Sequence, residues 1–156
     1  MRDQPLLPVV AACTAEVLEQ MFFIRALAEG ASEEAPPDSR LAAAVIFHGA
    51  PSGQLILQVT TAAARSIAAD FLGEDEPVLS EQQVGEVICE LANIICGSVL
   101  SHVESESTFH LDTPELQTGG VSVEALKDAV IYQLSLENGR LDVAFQTEVP
   151  VCPLAA

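Results

Sequence analysis

Tryptophan is absent from the 156 residues, tyrosine occurs once and phenylalanine six times. With so few rings, aliphatic side chains must build the interior. Basic residues are scarce too: six Lys and Arg stand against 23 Asp and Glu, a net charge of −17. Such a surface repels nucleic acid and anionic lipid and favours a partner with a basic face. Simple solubility is the competing reading of the same charge. No apolar run approaches the roughly 20 residues of a membrane span. The opening stretch, MRDQPLLPVVAAC, carries Asp3, Pro5 and Pro8 and does not form a signal-peptide pattern. The four cysteines (Cys13, Cys89, Cys96 and Cys152) contain no CxxC and lie mostly in apolar surroundings. They read as buried thiols of a reducing compartment rather than a disulfide or metal framework. The expectation is a cytoplasmic protein that engages neither nucleic acid nor membrane.

What is present is aliphatic and ordered. Hydrophobic residues make up 49% of the chain, which argues against disorder, and the length suits a single domain over 1–156. Residues 8–29 predict a first helix with Val17, Leu18, Met21, Phe22, Ile24 and Leu27 on its apolar face, ended by Gly30 and the loop SEEAPPDS. LAAAVIFH and QLILQVT, joined by GAPSG, predict a hairpin. Thr60 or Thr61 can cap a second helix that stops at Gly73. Ser80 begins a third, with Gln83 at capping-box spacing, running to about residue 104. STFHLDTP reads as a strand ending at Pro114. Within 115–128, QTGG is a turn and VEALKDA a short helical piece. AVIYQLSL and RLDVAFQTEV flank Asn138-Gly139, a hairpin signal, with Leu134, Leu136, Leu141, Val143 and Phe145 on the buried face. The expected fold is α+β: an antiparallel sheet covered on one face by two long helices.

The third helix holds the stretch GEVICELANIICG. At about 100° per residue, Glu86, Glu90, Asn93 and Gly97 fall within a sector of roughly 60°. Gln82, Ser101 and Glu104 extend it, and every member is polar or glycine. Val84, Val87, Ile88, Leu91, Ile95 and Val99 take the opposite side. A solvated face explains an ordinary stripe of this kind. Asn93 and Gly97 ask for more, because Asn is a poor helix former and Gly costs about 1 kcal/mol against Ala in a helix interior. A bare glycine one turn past an asparagine leaves room for a second surface to approach.

Glu90-Leu91-Ala92-Asn93 followed by Gly97 resembles the ExxN signature of the CheC/CheX/FliY chemotaxis phosphatases. Glu86 stands where that family usually has Asp or Ser. LAAAVIFHGAPSGQLILQVTTAAARSIAADFLGED is similar to the family's hairpin, glycine turn and following helix; FHLDTPELQTGG is similar to its Thr-Pro stretch, and AEVLEQMFF fits its first helix. The branch resembled is CheX, with one complete signature: in the first helix Phe22 takes the asparagine position after Glu19. The resemblance implies a CheX/CheC-like fold and, as substrate, the aspartyl phosphate of a CheY-like response regulator. Asn93 would orient the attacking water and Glu90 would pair with the regulator's lysine, with Glu86 and Gly97 in the partner-binding surface. It implies no cofactor of the chain's own, Mg²⁺ being supplied by the regulator, and self-association as a homodimer.

Two other readings stand beside it. One is a non-catalytic CheX-like module that binds or senses a response regulator. The other is an unrelated metal or nucleophilic hydrolase, for which His48, His102 and His110 are the candidates. HExxH and GxSxG are missing, and no histidine has a paired carboxylate spacing. Cys89 and Cys96 flank the stripe and suit packing better than chemistry.

Overall fold

The computed structural model describes residues 6–21, 28–29, 40–49, 52–103, 108–118, 126, 129–136 and 139–147. Among the described residues three α-helices, α1 (Leu6–Met21), α2 (Thr61–Leu72) and α3 (Glu81–Val103), lie against a seven-stranded sheet. The strands are β1 (Ala28–Glu29), β2 (Arg40–His48), β3 (Gly53–Thr60), β4 (His110–Leu111), β5 (Glu115–Thr118), β6 (Val130–Leu136) and β7 (Gly139–Thr147). Their order is β1-β6-β7-β3-β2-β4, with β5 also paired to β2, and every pairing is antiparallel. The α+β architecture read from the sequence is the one observed.

Alternation along the strands sorts the two faces. Ala43, Val45 and Phe47 of β2, Leu55, Leu57 and Val59 of β3, and Leu141, Val143 and Phe145 of β7 join the helices in one core. Phe47 stacks on Phe145 at 5.4 Å and meets Phe109 edge-on at 6.1 Å, so half of the six phenylalanines close one end of it. The inner residues foreseen for α3 (Val84, Val87, Ile88, Leu91, Ile95 and Val99) are all buried. By length and composition α3 could cross a membrane. Here its apolar side lies on the sheet.

The far face of the sheet is thinner: Ala42, Ile56 and Ala144 pack with Ala44, Leu126 and Ile131. Beside them Arg140 Nε and Nη2 donate to Asp142 Oδ1 and Oδ2, both at 3.0 Å, within a buried pair. Two residues apart on one strand, these side chains share a face, and the fork geometry of Arg suits the carboxylate.

Several expectations need correction. The first helix does not extend to residue 29, because Ala28 and Glu29 form a strand opposite Ser135 and Leu134. Helical periodicity continued past Met21, but the open edge of β6 supplies hydrogen-bonding partners that periodicity cannot foresee. Phe22, Ile24 and Leu27 lie outside the described residues, as do Asn138 of the last hairpin and most of VEALKDA. Of the strand expected to end at Pro114, the described residues hold only the two-residue β4, and a further strand not foreseen, β5, Glu115–Thr118, follows the proline. Proline lacks the N–H needed to continue a ladder, yet β2 is long enough to pair again beyond it, with Ala43 opposite Leu116. The QTGG turn is thus strand at Gln117 and Thr118, while Gly119 and Gly120 lie outside the described residues. Thr60 holds the N-cap position of α2, but its hydroxyl makes no capping bond. It accepts the Arg140 N–H at 3.1 Å instead.

Asp142→Ala removes the bidentate acceptor of a buried guanidinium and is expected to destabilise the fold by about 3 kcal/mol. Urea unfolding monitored by circular dichroism checks this, and an unchanged midpoint contradicts it.

Candidate functional site

The phase of α3 is set at its first turn. Ser80 Oγ accepts the Gln83 N–H at 3.1 Å, and Gln83 Oε1 accepts the Ser80 N–H at 2.9 Å. This reciprocal pair is the capping box foreseen from the spacing, and it satisfies donors that the helix start would otherwise orphan. Arg65 Nη2, reaching from α2, donates to the Glu76 and Leu79 carbonyls at 2.6 and 3.0 Å. The segment entering α3 is therefore tied down from both sides.

With the start fixed and one side buried, the polar positions have a single place to go. Gln82, Glu86, Glu90 and Ser101 are exposed, and Asn93 and Gly97 are half-buried along the same outer strip. Glu104 lies outside the described residues. Gln82 Nε2 donates to Glu86 Oε2 at 3.1 Å, so Glu86 has a partner one turn back. Among the described residues, nothing hydrogen-bonds or ion-pairs with the Glu90 carboxylate or the Asn93 amide. A carboxylate and a neutral amide stand one turn apart, both facing outward.

The glycines of this helix differ. A β-carbon at Gly85 would come within 2.7 Å of Leu116 Cδ2, whereas one at Gly97 would meet nothing within 4 Å. Gly85 is explained by packing inside the chain. Among the described residues no neighbour requires Gly97, which lies one turn beyond Asn93.

Cys89 and Cys96 border the strip. Burial, and secondarily the charge of Glu86, raises the Cys89 thiol pKa above its ordinary value. Burial alone pushes Cys96 up to about 12. The thiolate is the nucleophile, and both environments disfavour it.

The histidines serve elsewhere. His48 and His110 face one another across β2 and β4, with Asp112 between them at 3.1 and 3.6 Å. His102 Nδ1 lies 2.9 Å from the Ser98 carbonyl and 3.5 Å from Cys13 Sγ. A carbonyl can only accept, so Nδ1 carries the proton and cannot take one from the thiol. Among the described residues, no three His, Cys, Asp or Glu side chains gather where they could hold a metal ion.

The strip lies on a helix that one family description covers. The family model for the chemotaxis phosphatase CheX matches residues 41–135, more than half of the chain. The chain belongs to the CheX family. Comparison with curated proteins returns no match. Among solved structures, CheX from Borrelia burgdorferi, crystallised as a CheX–CheY–BeF3–Mg complex, is similar at a TM-score of 0.74 and 18% identity, over 93% of this chain and 99% of that one. CheX from Vibrio vulnificus has the same TM-score and identity, covering 93% and 97%. FliY from Thermotoga maritima is more distant, at 0.58 and 12% identity over 89% and 86%. At these identities the likeness establishes the fold.

Glu16 and Glu19 on α1 are exposed, and Phe22 lies outside the described residues. Of the residues that border the strip, sequence reasoning passed over Leu116. Its only signal was Gly85, a second glycine in the helix with no stated purpose.

The Cys96 thiol is neutral in folded and unfolded chains below about pH 9, where its stabilising contribution is complete. As the pH rises toward 12 the unfolded thiol ionises first and that contribution is lost. Cys96→Ala is therefore expected to flatten the alkaline loss of stability, read by urea unfolding at about pH 8 and about pH 10.5. Equal slopes for the two proteins contradict the assignment.

Proposed function

We propose that this chain accelerates hydrolysis of the aspartyl phosphate on a CheY-like response regulator. The observation that carries the reading is the pairing on one outer strip of Asn93 and Glu90, neither engaged by any described residue, beside a glycine that none of the described residues requires. Family membership supports the phosphatase class, and the CheX–CheY–BeF3–Mg complex of a structural relative supports the partner.

Phosphoryl transfer needs little covalent help; it needs an aligned water and compensation of charge. In this reading the regulator brings the phosphorylated aspartate, its Mg²⁺ and a lysine. The Asn93 amide enters beside the acyl phosphate. Its carbonyl accepts a hydrogen bond from water while its NH₂ donates to a phosphoryl oxygen, so a single neutral group fixes the line of attack. The water oxygen forms the new P–O bond as the acyl P–O bond breaks, the aspartate leaves as carboxylate, and no bond to this chain forms.

Charge is the obstacle. A chain at −17 approaching a phosphate is repelled in general. Glu90, one turn before Asn93, offsets this by pairing with the regulator's lysine and docking the helix against it. Glu86, already tied to Gln82, adds to the same negative edge. Gly97 leaves the approach to Asn93 clear.

With a phosphorylated CheY-like receiver domain as substrate, Asn93→Ala is expected to keep the fold and lose roughly hundredfold in accelerated phosphate release. Equal rates for variant and parent overturn the catalytic role. Binding by the parent without acceleration selects the non-catalytic module instead. Glu90→Lys is expected to act chiefly on association, raising KM more than it lowers kcat; an unchanged affinity refutes the docking role.

A further inference from the structure

A protein–protein contact of ordinary size buries about 800 Å² on each partner. The strip from Gln82 to Ser101 is one side chain wide, so a partner seated on it must reach a flank. Stable contacts also combine an apolar centre with a polar rim, and the strip itself holds no large apolar side chain.

Leu116 supplies one. It lies on β5 opposite fully buried Ala43, which turns it to the helix side of the sheet. There it rests against α3 at Gly85, the residue before Glu86, yet it remains 39% exposed. At about 100° per residue, Gly85 points a little over a quarter-turn around the helix from Glu86. Leu116 thus stands at the step between the sheet edge and the acidic strip. Gly85 costs helix stability of about 1 kcal/mol against Ala, and what that glycine admits is a leucine left partly in water. Among the other exposed large apolar residues, Ile46 lies on the opposite face of the sheet and provides a matched control.

We propose that Leu116 is the apolar anchor of the same docking face, and that it determines how tightly the regulator is held rather than how fast its phosphate is released. The inference rests on the phosphatase reading above. The occupant is the phosphorylated receiver domain, presenting an apolar side chain beside the lysine that meets Glu90. Charge complementarity selects this partner: Leu116 rests on α3 at Gly85, the residue before exposed Glu86 of the acidic strip, so the surface that covers both is basic beside an apolar centre. Leu116 lies away from Asn93 along the helix and touches no reacting atom.

The test is steady-state phosphate release from a phosphorylated CheY-like receiver domain, with the parent, Leu116→Ser, Leu116→Met and Ile46→Ser compared at matched thermal stability readings. Leu116→Ser is expected to raise KM by about tenfold with kcat within about twofold. Leu116→Met keeps the parent KM, and Ile46→Ser changes neither constant. An unchanged KM in Leu116→Ser overturns the proposal while leaving the phosphatase reading intact. So does a joint fall of kcat and melting temperature in Leu116→Ser, which makes the leucine a packing strut. If the parent itself does not accelerate release, the phosphatase reading fails and this proposal fails with it.

Discussion

Ser80 and Gln83 exchange two hydrogen bonds at the first turn of α3, and the orientation of all 23 residues of that helix follows. A start displaced by one residue would rotate the helix by about 100° and carry Glu90 and Asn93 toward the sheet. The apolar side cooperates: Ile88, Leu91, Ile95 and Val99 are completely buried, so rotation would expose them. Arg65 holds the preceding segment through two carbonyls. A strip that faces outward is thus fixed by contacts that all lie behind or before it.

Local rules made much of this legible. Gly73 closes α2 in the left-handed conformation at φ 69°, with its N–H on the Ala69 carbonyl, as a glycine at that position implies. The alternation that marked Leu134, Leu141, Val143 and Phe145 as inward is the alternation observed. The angular grouping of Glu86, Glu90, Asn93 and Gly97 needed only the helical period. What stayed hidden depends on distant neighbours. Ala28 and Glu29 are a strand because β6 is there to receive them. Glu115–Thr118 pairs because β2 extends past the break at Pro114. The Thr60 hydroxyl leaves its own helix because the Arg140 N–H competes for it.

Gly85 and Gly97 show the same limit within one helix. In the sequence they are equivalent oddities twelve positions apart. In three dimensions Gly85 is filled by Leu116 from β5 and Gly97 opens onto space. Among the described residues only the second is left without an internal cause, and it adjoins an amide and follows a carboxylate that no described residue engages. The half-buried Cys89 thiol between them has its ionisation disfavoured, so the strip presents an amide and carboxylates rather than a nucleophile.

The way the sheet ends has a further consequence. On one side it stops at the two-residue β1; on the other, the nine-residue β2 is covered by β4 and β5, of two and four residues, with Pro114 between them. Long, flat, open strands invite like strands to add on, whereas short and interrupted edges do not. The outer β5 edge also carries Glu115 in a chain already short of positive charge. Among the described strands, the β2 side of the sheet is thus guarded against lateral growth by brevity, a proline and like-charge repulsion.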